Sequence, residues 1–156
     1  MDNWKERIAQ QEKEVDDAFR SRFAHQFISR KVNGHSYKIE VSIGKGWYKM
    51  FANLCQEVDD FFGHDMGYPT RGFRWVQVKE KFGTLRAYYD VDKLDGKGSE
   101  KLREIIDKYE KMSAKTCEEC GEVGELRNAT GWYTTKCDKH YEELLKERKE
   151  RFGEDD

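Results

Sequence analysis

The stretch Lys115-Thr-Cys-Glu-Glu-Cys-Gly-Glu-Val-Gly-Glu-Leu-Arg-Asn-Ala-Thr-Gly-Trp-Tyr-Thr-Thr-Lys-Cys-Asp-Lys-His140 decides how this chain is read. It contains Cys117-Glu-Glu-Cys120, a spacer of sixteen residues, and Cys137-Asp-Lys-His140. Two C-x-x-[CH] pairs at this separation match the arithmetic of a structural zinc site. A gap of two residues lets both members of a pair reach one ion, and Zn²⁺ takes four such donors in a tetrahedron. Gly121, directly after Cys120, supplies the backbone freedom of a tight turn. Cys117, Cys120, Cys137 and His140 are therefore the expected ligands of one structural Zn²⁺. Four protein ligands leave no open position for a catalytic water. A redox-active C-x-x-C would come with a neighbouring βαβ pattern, and the sequence displays none. Nor is a disulfide expected: Met1-Asp-Asn-Trp-Lys-Glu-Arg lacks the apolar segment of a secretion signal, and cytosolic thiols stay reduced.

Working outward, residues 125–136 predict two short strands around an Asn128–Gly131 turn. The run from Tyr141 to Arg151 is rich in strong helix formers. A knuckle, a hairpin, and a second ligand pair at the start of a helix resemble a treble-clef zinc finger, over roughly residues 115–150. The chain then divides into an α+β body, 1–113, and a finger with its C-terminal helix, 114–152.

In the body, Trp4, Ile8, Val15, Phe19, Phe23 and Phe27 form one apolar stripe on a long N-terminal helix, residues 1–31, with a break near Arg20–Ser21. The stripe packs on the body or, alternatively, on a second copy of the chain. Val32-Asn-Gly-His is a turn signal. Tyr37-Lys-Ile-Glu-Val-Ser-Ile alternates as a strand, and Gly44-Lys-Gly46 ends it. Apolar residues at 47, 51, 54, 55, 58, 61 and 62 keep the 3.6-residue period of a half-buried helix. Cys55 falls on that face and reads as a buried hydrophobe rather than a nucleophile. Asp59 and Asp60 read as solvated acids, His64 as an exposed imidazole in a Gly-rich loop, and His25 and His35 lack sequence partners. Residues 73–79 and 84–91 alternate as antiparallel strands joined around Lys81-Phe-Gly83, giving a hairpin over 72–91. A helix opening at Ser99 turns Leu102, Ile105, Ile106, Tyr109 and Met112 inward. The fold class expected is α+β: a long N-terminal helix, a small antiparallel sheet with packed helices, and the finger.

Charge narrows the function. The chain has 156 residues and a net charge of −2, from 29 basic and 31 acidic side chains, which argues against a polybasic coat. Charged residues reach 38%, against about 25% in an average domain, so the apolar core is thin for the length. Aromatic content of 13% argues against disorder. No apolar run approaches the ~18 residues of a membrane span, and a cytoplasmic protein is expected. The balance is local as well as global. Residues 71–89 hold Arg71, Arg74, Lys79, Lys81 and Arg86 against Glu80, while residues 141–156 hold four bases against seven acids. Interleaved with those bases are Phe73, Trp75, Phe82, Tyr88 and Tyr89. Cations among stacking rings suit a phosphate-bearing ligand such as single-stranded nucleic acid or a nucleotide. Arg74, Lys79, Lys81 and Arg86 are accordingly the candidate partner- or phosphate-binding residues.

Catalytic signatures are sparse. Neither a P-loop nor a G-x-S-x-G elbow occurs, and the finger's one His is used as a ligand, which removes an HNH nuclease pattern. A metal-dependent hydrolase built on His64 with Asp65, Asp59 and Asp60 is the weakest alternative.

Taken together, Gly46-Trp-Tyr, Val76-Gln-Val-Lys-Glu-Lys-Phe-Gly-Thr-Leu-Arg-Ala-Tyr-Tyr, Cys117-Glu-Glu-Cys-Gly-Glu-Val-Gly-Glu-Leu-Arg, Gly131-Trp and Cys137-Asp-Lys-His resemble a group of small uncharacterised bacterial and phage proteins. The resemblance covers about residues 46–142. It implies a bacterial or phage-infected cytoplasm and a hairpin and finger that belong to one unit. It carries no assigned activity. The expected role is zinc-stabilised, non-catalytic binding of a host or defence-related protein, with nucleic acid or nucleotide as the alternative partner.

Overall fold

The computed structural model describes residues 3–63 and 72–153. His64, Asp65 and Arg71 lie outside the described residues. Helix α1 (Trp4–Val15) begins at Asn3, whose side-chain oxygen accepts the backbone N–H groups of Lys5 and Glu6. A π turn over Asp16–Arg20 and a 3₁₀ turn over Ala24–Gln26 follow it. The expected helix to residue 31 is thus about half as long, and it breaks where Arg20–Ser21 suggested. An unbroken helix of that length would span about 45 Å, more than the width of a small domain. Turning at 21–23 instead brings Phe19, Phe23 and Gln26 into the core. The stripe's other end stays out, with Trp4 58% and Ile8 51% exposed.

Strands β1 (Arg30–Val32) and β2 (His35–Tyr37) form a hairpin around Asn33 and Gly34, both left-handed, the pair a type I′ turn prefers. The alternation expected over 37–43 is real, but the chain changes sheets inside it. Tyr37 ends β2, whereas β3 (Glu40–Ser42) pairs in parallel with β4 (Arg74–Lys81). The three-stranded sheet, ordered β3-β4-β5 with β5 at Thr84–Asp90, is therefore mixed rather than antiparallel. Parallel pairing needs a crossover, and helix α2 (Tyr48–Phe62) supplies it. A βαβ unit thus exists after all, although it does not carry the C-x-x-C.

Trp47, Phe51, Leu54, Cys55 and Val58 are buried against the sheet, as their spacing required. Opposite them, Phe73, Trp75, Val78, Leu85 and Ala87 line one sheet face. Ring contacts of 4.9 Å between Phe19 and Phe51, 5.1 Å between Phe51 and Trp75, and 4.9 Å between Phe73 and Trp75 run through this core. Helix α3 (Gly96–Ser113) buries Leu102, Ile106 and Tyr109, while Met112, expected inward, is 42% exposed. It also closes the β5 edge: Ser113 Oγ accepts the Leu85 N–H at 2.8 Å, and the Glu110 carboxylate accepts that of Ala87 at 3.1 Å. No helix among the described residues is long and apolar enough to cross a membrane.

Candidate metal centre

After α3 the chain makes a tight knuckle. Cys117 N–H donates to Glu122 O and Gly121 N–H to Cys117 O, with Gly121 at φ 79°. Strands β6 (Glu125–Arg127) and β7 (Thr134–Lys136) then form an antiparallel hairpin. Cys137 occupies the N-cap of α4 (Asp138–Phe152), which places His140 on that helix's first turn. All four donor atoms lie within 4.8 Å of one another. Cys120 Sγ and Cys137 Sγ are 3.9 Å apart, and His140 Nδ1 is 3.7 Å from Cys117 Sγ and 3.2 Å from Cys137 Sγ. For Zn–S bonds of about 2.3 Å, a tetrahedral edge is about 3.8 Å. The four residues thus form a Cys₃His group able to hold one metal ion, and both donor set and spacing are compatible with zinc.

The backbone prepares the Cys117 sulfur for charge. Burial pushes the Cys117 thiol up, but N–H groups of Cys137, Cys120 and Glu119 outweigh it and bring the thiol down to about 7. At Cys120 the Glu122 N–H pulls down, yet burial and the neighbouring Cys117 and Cys137 sulfurs push the thiol above its ordinary value. Crowded sulfurs of this kind repel as thiolates until a cation joins them.

Body and finger are joined at two glycine-bearing turns. Gly46 N–H donates to Glu118 O at 2.8 Å. A Cβ on Gly46 would lie 2.1 Å from Cys117 O, and one on Gly44 would lie 2.3 Å from Glu118 O. Trp47 Nε1–H donates to Thr116 O at 2.8 Å. At the second seam, Thr135 Oγ1–H donates to Gly83 O at 2.6 Å, and the Glu118 carboxylate accepts both the Thr134 hydroxyl and the Thr135 N–H.

Of the candidate phosphate binders, Lys79, Lys81 and Arg86 share the outer sheet face, because Lys79 pairs with Arg86 and Lys81 with Thr84. None of the three has a carboxylate partner within 4 Å among the described residues. Arg74 is elsewhere. It sits about 17 Å up the strand from Lys79 and about 23 Å from Lys81, ion-paired to Asp90 at 3.7 Å and Asp92 at 3.5 Å. Cys55 is fully buried, and burial pushes its thiol well up, which leaves it unreactive.

Two features escaped the sequence reading. Asp59 is not solvated but only 4% exposed. Its Oδ1 lies 2.7 Å from His25 Nε2 and accepts Gln26 Nε2–H, while Gln26 Oε1 accepts Trp75 Nε1–H. The available signal was its position four residues after Cys55, on the apolar face. The second is a cleft lined by Glu80, Lys81, Phe82, Gly131, Trp132 and Tyr133, between the β4–β5 turn and the finger's loop. The signal there was Phe-Gly in a two-residue turn that favours Asn-Gly.

Fold and site together define an α+β protein with a candidate four-ligand metal centre. Comparison with protein-family models, curated proteins and solved structures yields no match.

Proposed function

We propose that the chain is a zinc-stabilised, non-catalytic binding protein of bacterial or phage type, and that residues 114–152 are a treble-clef-like finger. One observation carries this reading: four donors from two ligand pairs converge within 4.8 Å. A saturated tetrahedron holds the ion and offers it to no substrate, so the metal organises a surface rather than performing chemistry. Metal analysis of the purified protein is expected to give one Zn per chain. Cys117→Ser should lose the metal and the folded finger together, and a metal-free yet fully folded chain would refute the proposal.

For the partner, the exposed Trp4 and Ile8 suit a host or defence-related protein, or a second copy of the chain. The cations without carboxylate partners on the outer face favour the other class, a phosphate-bearing ligand.

A further inference from the structure

The cleft at the body–finger seam combines three features. Its rings are exposed: Trp132 is 73%, Phe82 60% and Tyr133 44% accessible. Phe82 and Tyr133 meet edge to face at 6.3 Å and 82°, and Lys81 Nζ sits over the Phe82 ring, 5.5 Å from its centre. The turn that presents Phe82 is strained. Phe82 has φ 54° and Gly83 has φ 81°. A bulky side chain in the left-handed region is disfavoured, and such outliers gather at functional sites. Asn would occupy the position at lower cost. An aromatic ring held there and left in solvent adds nothing to the core.

The third feature is charge. Lys81 lines the cleft and also begins the outer-face row with Lys79 and Arg86. Two acids of this region also bind backbone: Glu80 Oε2 accepts the Gly83 N–H at 2.7 Å, and Glu110, which interacts electrostatically with Arg86, accepts that of Ala87. Arg86 Nε is buried without a hydrogen-bond partner. Lys79 and Lys81 project from alternate residues, about 7 Å apart.

We propose that this composite cleft binds single-stranded nucleic acid, with bases on Phe82, Trp132 and Tyr133 and phosphates along Lys79, Lys81 and Arg86. It deepens the binding-protein reading and rests on it. Rings take bases only when those bases are unpaired, and a row of cations tracks the backbone of any sequence. Neither half of the molecule carries the site alone, because the finger supplies two rings and the body supplies the third with all three cations.

The test is fluorescence anisotropy at about 50 mM salt, using zinc-loaded full-length protein, labelled 20-nucleotide oligo-dT and oligo-U, and a 20-base-pair duplex. Both single strands are expected to bind at least tenfold tighter than the duplex. Phe82→Asn and Trp132→Ala should each weaken binding about tenfold, the effect of removing one stacking ring. Phe82→Asn installs Asn-Gly, so its melting temperature should be no lower than that of the parent, and folding failure cannot account for its loss. Replacing Lys79, Lys81 and Arg86 by Ala should lower the log–log salt slope by about 2. Absence of single-strand binding overturns the proposal, as does equal affinity for duplex or indifference to both ring substitutions. If oligonucleotides fail while those two substitutions abolish capture of a protein from lysate, the ligand class is wrong and the binding-protein reading survives. Failure of both removes the cleft as a binding face.

Discussion

Between residues 3 and 113 the chain buries Phe19, Trp47, Phe51, Leu54, Phe73, Trp75, Leu85 and Leu102 completely. Between 114 and 152 the one apolar residue buried among the described residues is Cys117, beside the polar Thr134, Thr135 and Lys136. Helix α4 buries none of its residues. The body is thus held by hydrophobic burial. The finger's interior consists of its ligand cluster and the hydrogen bonds around it. A 38% charged composition looked thin for one continuous core, and the comparison shows where the shortage falls. What a segment lacks in apolar area it can recover from metal ligation, since structural Zn²⁺ binding is worth roughly 10–16 kcal/mol in small fingers.

The largest effect should come from breaking the finger's interior. Chelation of zinc-loaded protein, if zinc fills the Cys₃His group as proposed, is expected to raise amide exchange across β6, β7 and α4 by orders of magnitude, while β4 and β5 remain protected. Hydrogen exchange followed by mass spectrometry resolves the two regions. Uniform loss of protection over the whole chain would erase the contrast between them, and uniform retention would remove the metal from the finger's stability.

Next in size is a pair of Leu→Ala substitutions. Leu54 is fully buried, so Leu54→Ala should cost about 3 kcal/mol through lost transfer energy and a residual cavity. Leu145 is 40% exposed on α4, and Leu145→Ala should cost about 0.5 kcal/mol or less. Urea unfolding of the zinc-loaded protein measures both. Equal costs would mean that α4 has a packing partner in solution.

The seam is the third place to test. Gly46→Ala sets a methyl against three backbone atoms of the knuckle, Cys117 O, Glu118 C and Gly121 N, and backbone yields less than a side chain. A loss of about 2 kcal/mol is expected. It should appear as weaker zinc retention as well as a lower unfolding midpoint, because the displaced atoms belong to the ligand loop. Retention unchanged beside a lower midpoint would mean that body and finger respond independently.

These tests follow the line between what the sequence made legible and what it hid. The α2 face, the β4–β5 hairpin and the ligand pairs were readable because each is a local pattern: a 3.6-residue period, an alternation, a two-residue gap. The change of sheet at Lys38–Ile39 was hidden, since alternation records which face a side chain takes but not which strand it pairs with. The His25–Asp59 contact joins residues 34 apart, and the cleft joins Phe82 to Tyr133 across the metal knuckle. No window along the chain contains either pair. Trp4 and Ile8 keep a helical spacing with Val15 and yet stay exposed. Periodicity shows that a face exists, and only the fold shows what covers it.

The smallest effect belongs to the body's edge. Burial raises the Glu110 carboxyl above its ordinary 4.5, the Ala87 N–H works against that rise, and Asp107 adds to it. A carboxyl raised in the folded state binds its proton more tightly there than in the unfolded chain. Its contribution is therefore fully present below pH 4.5 and is lost as pH rises through the folded value. Glu110→Gln keeps an oxygen for the Ala87 N–H and removes the titration. The variant should match the parent at pH 4 and exceed it slightly at pH 7, with solvent screening keeping the gain small. Urea midpoints at the two pH values, in zinc-loaded protein with Glu110→Gln alone, provide the comparison. A variant weaker than the parent at pH 7 would mean that the ionised carboxylate holds the β5 edge better than a neutral amide. The closed edge would then rest on a charge-assisted hydrogen bond, and the body would depend on charge as well as on burial.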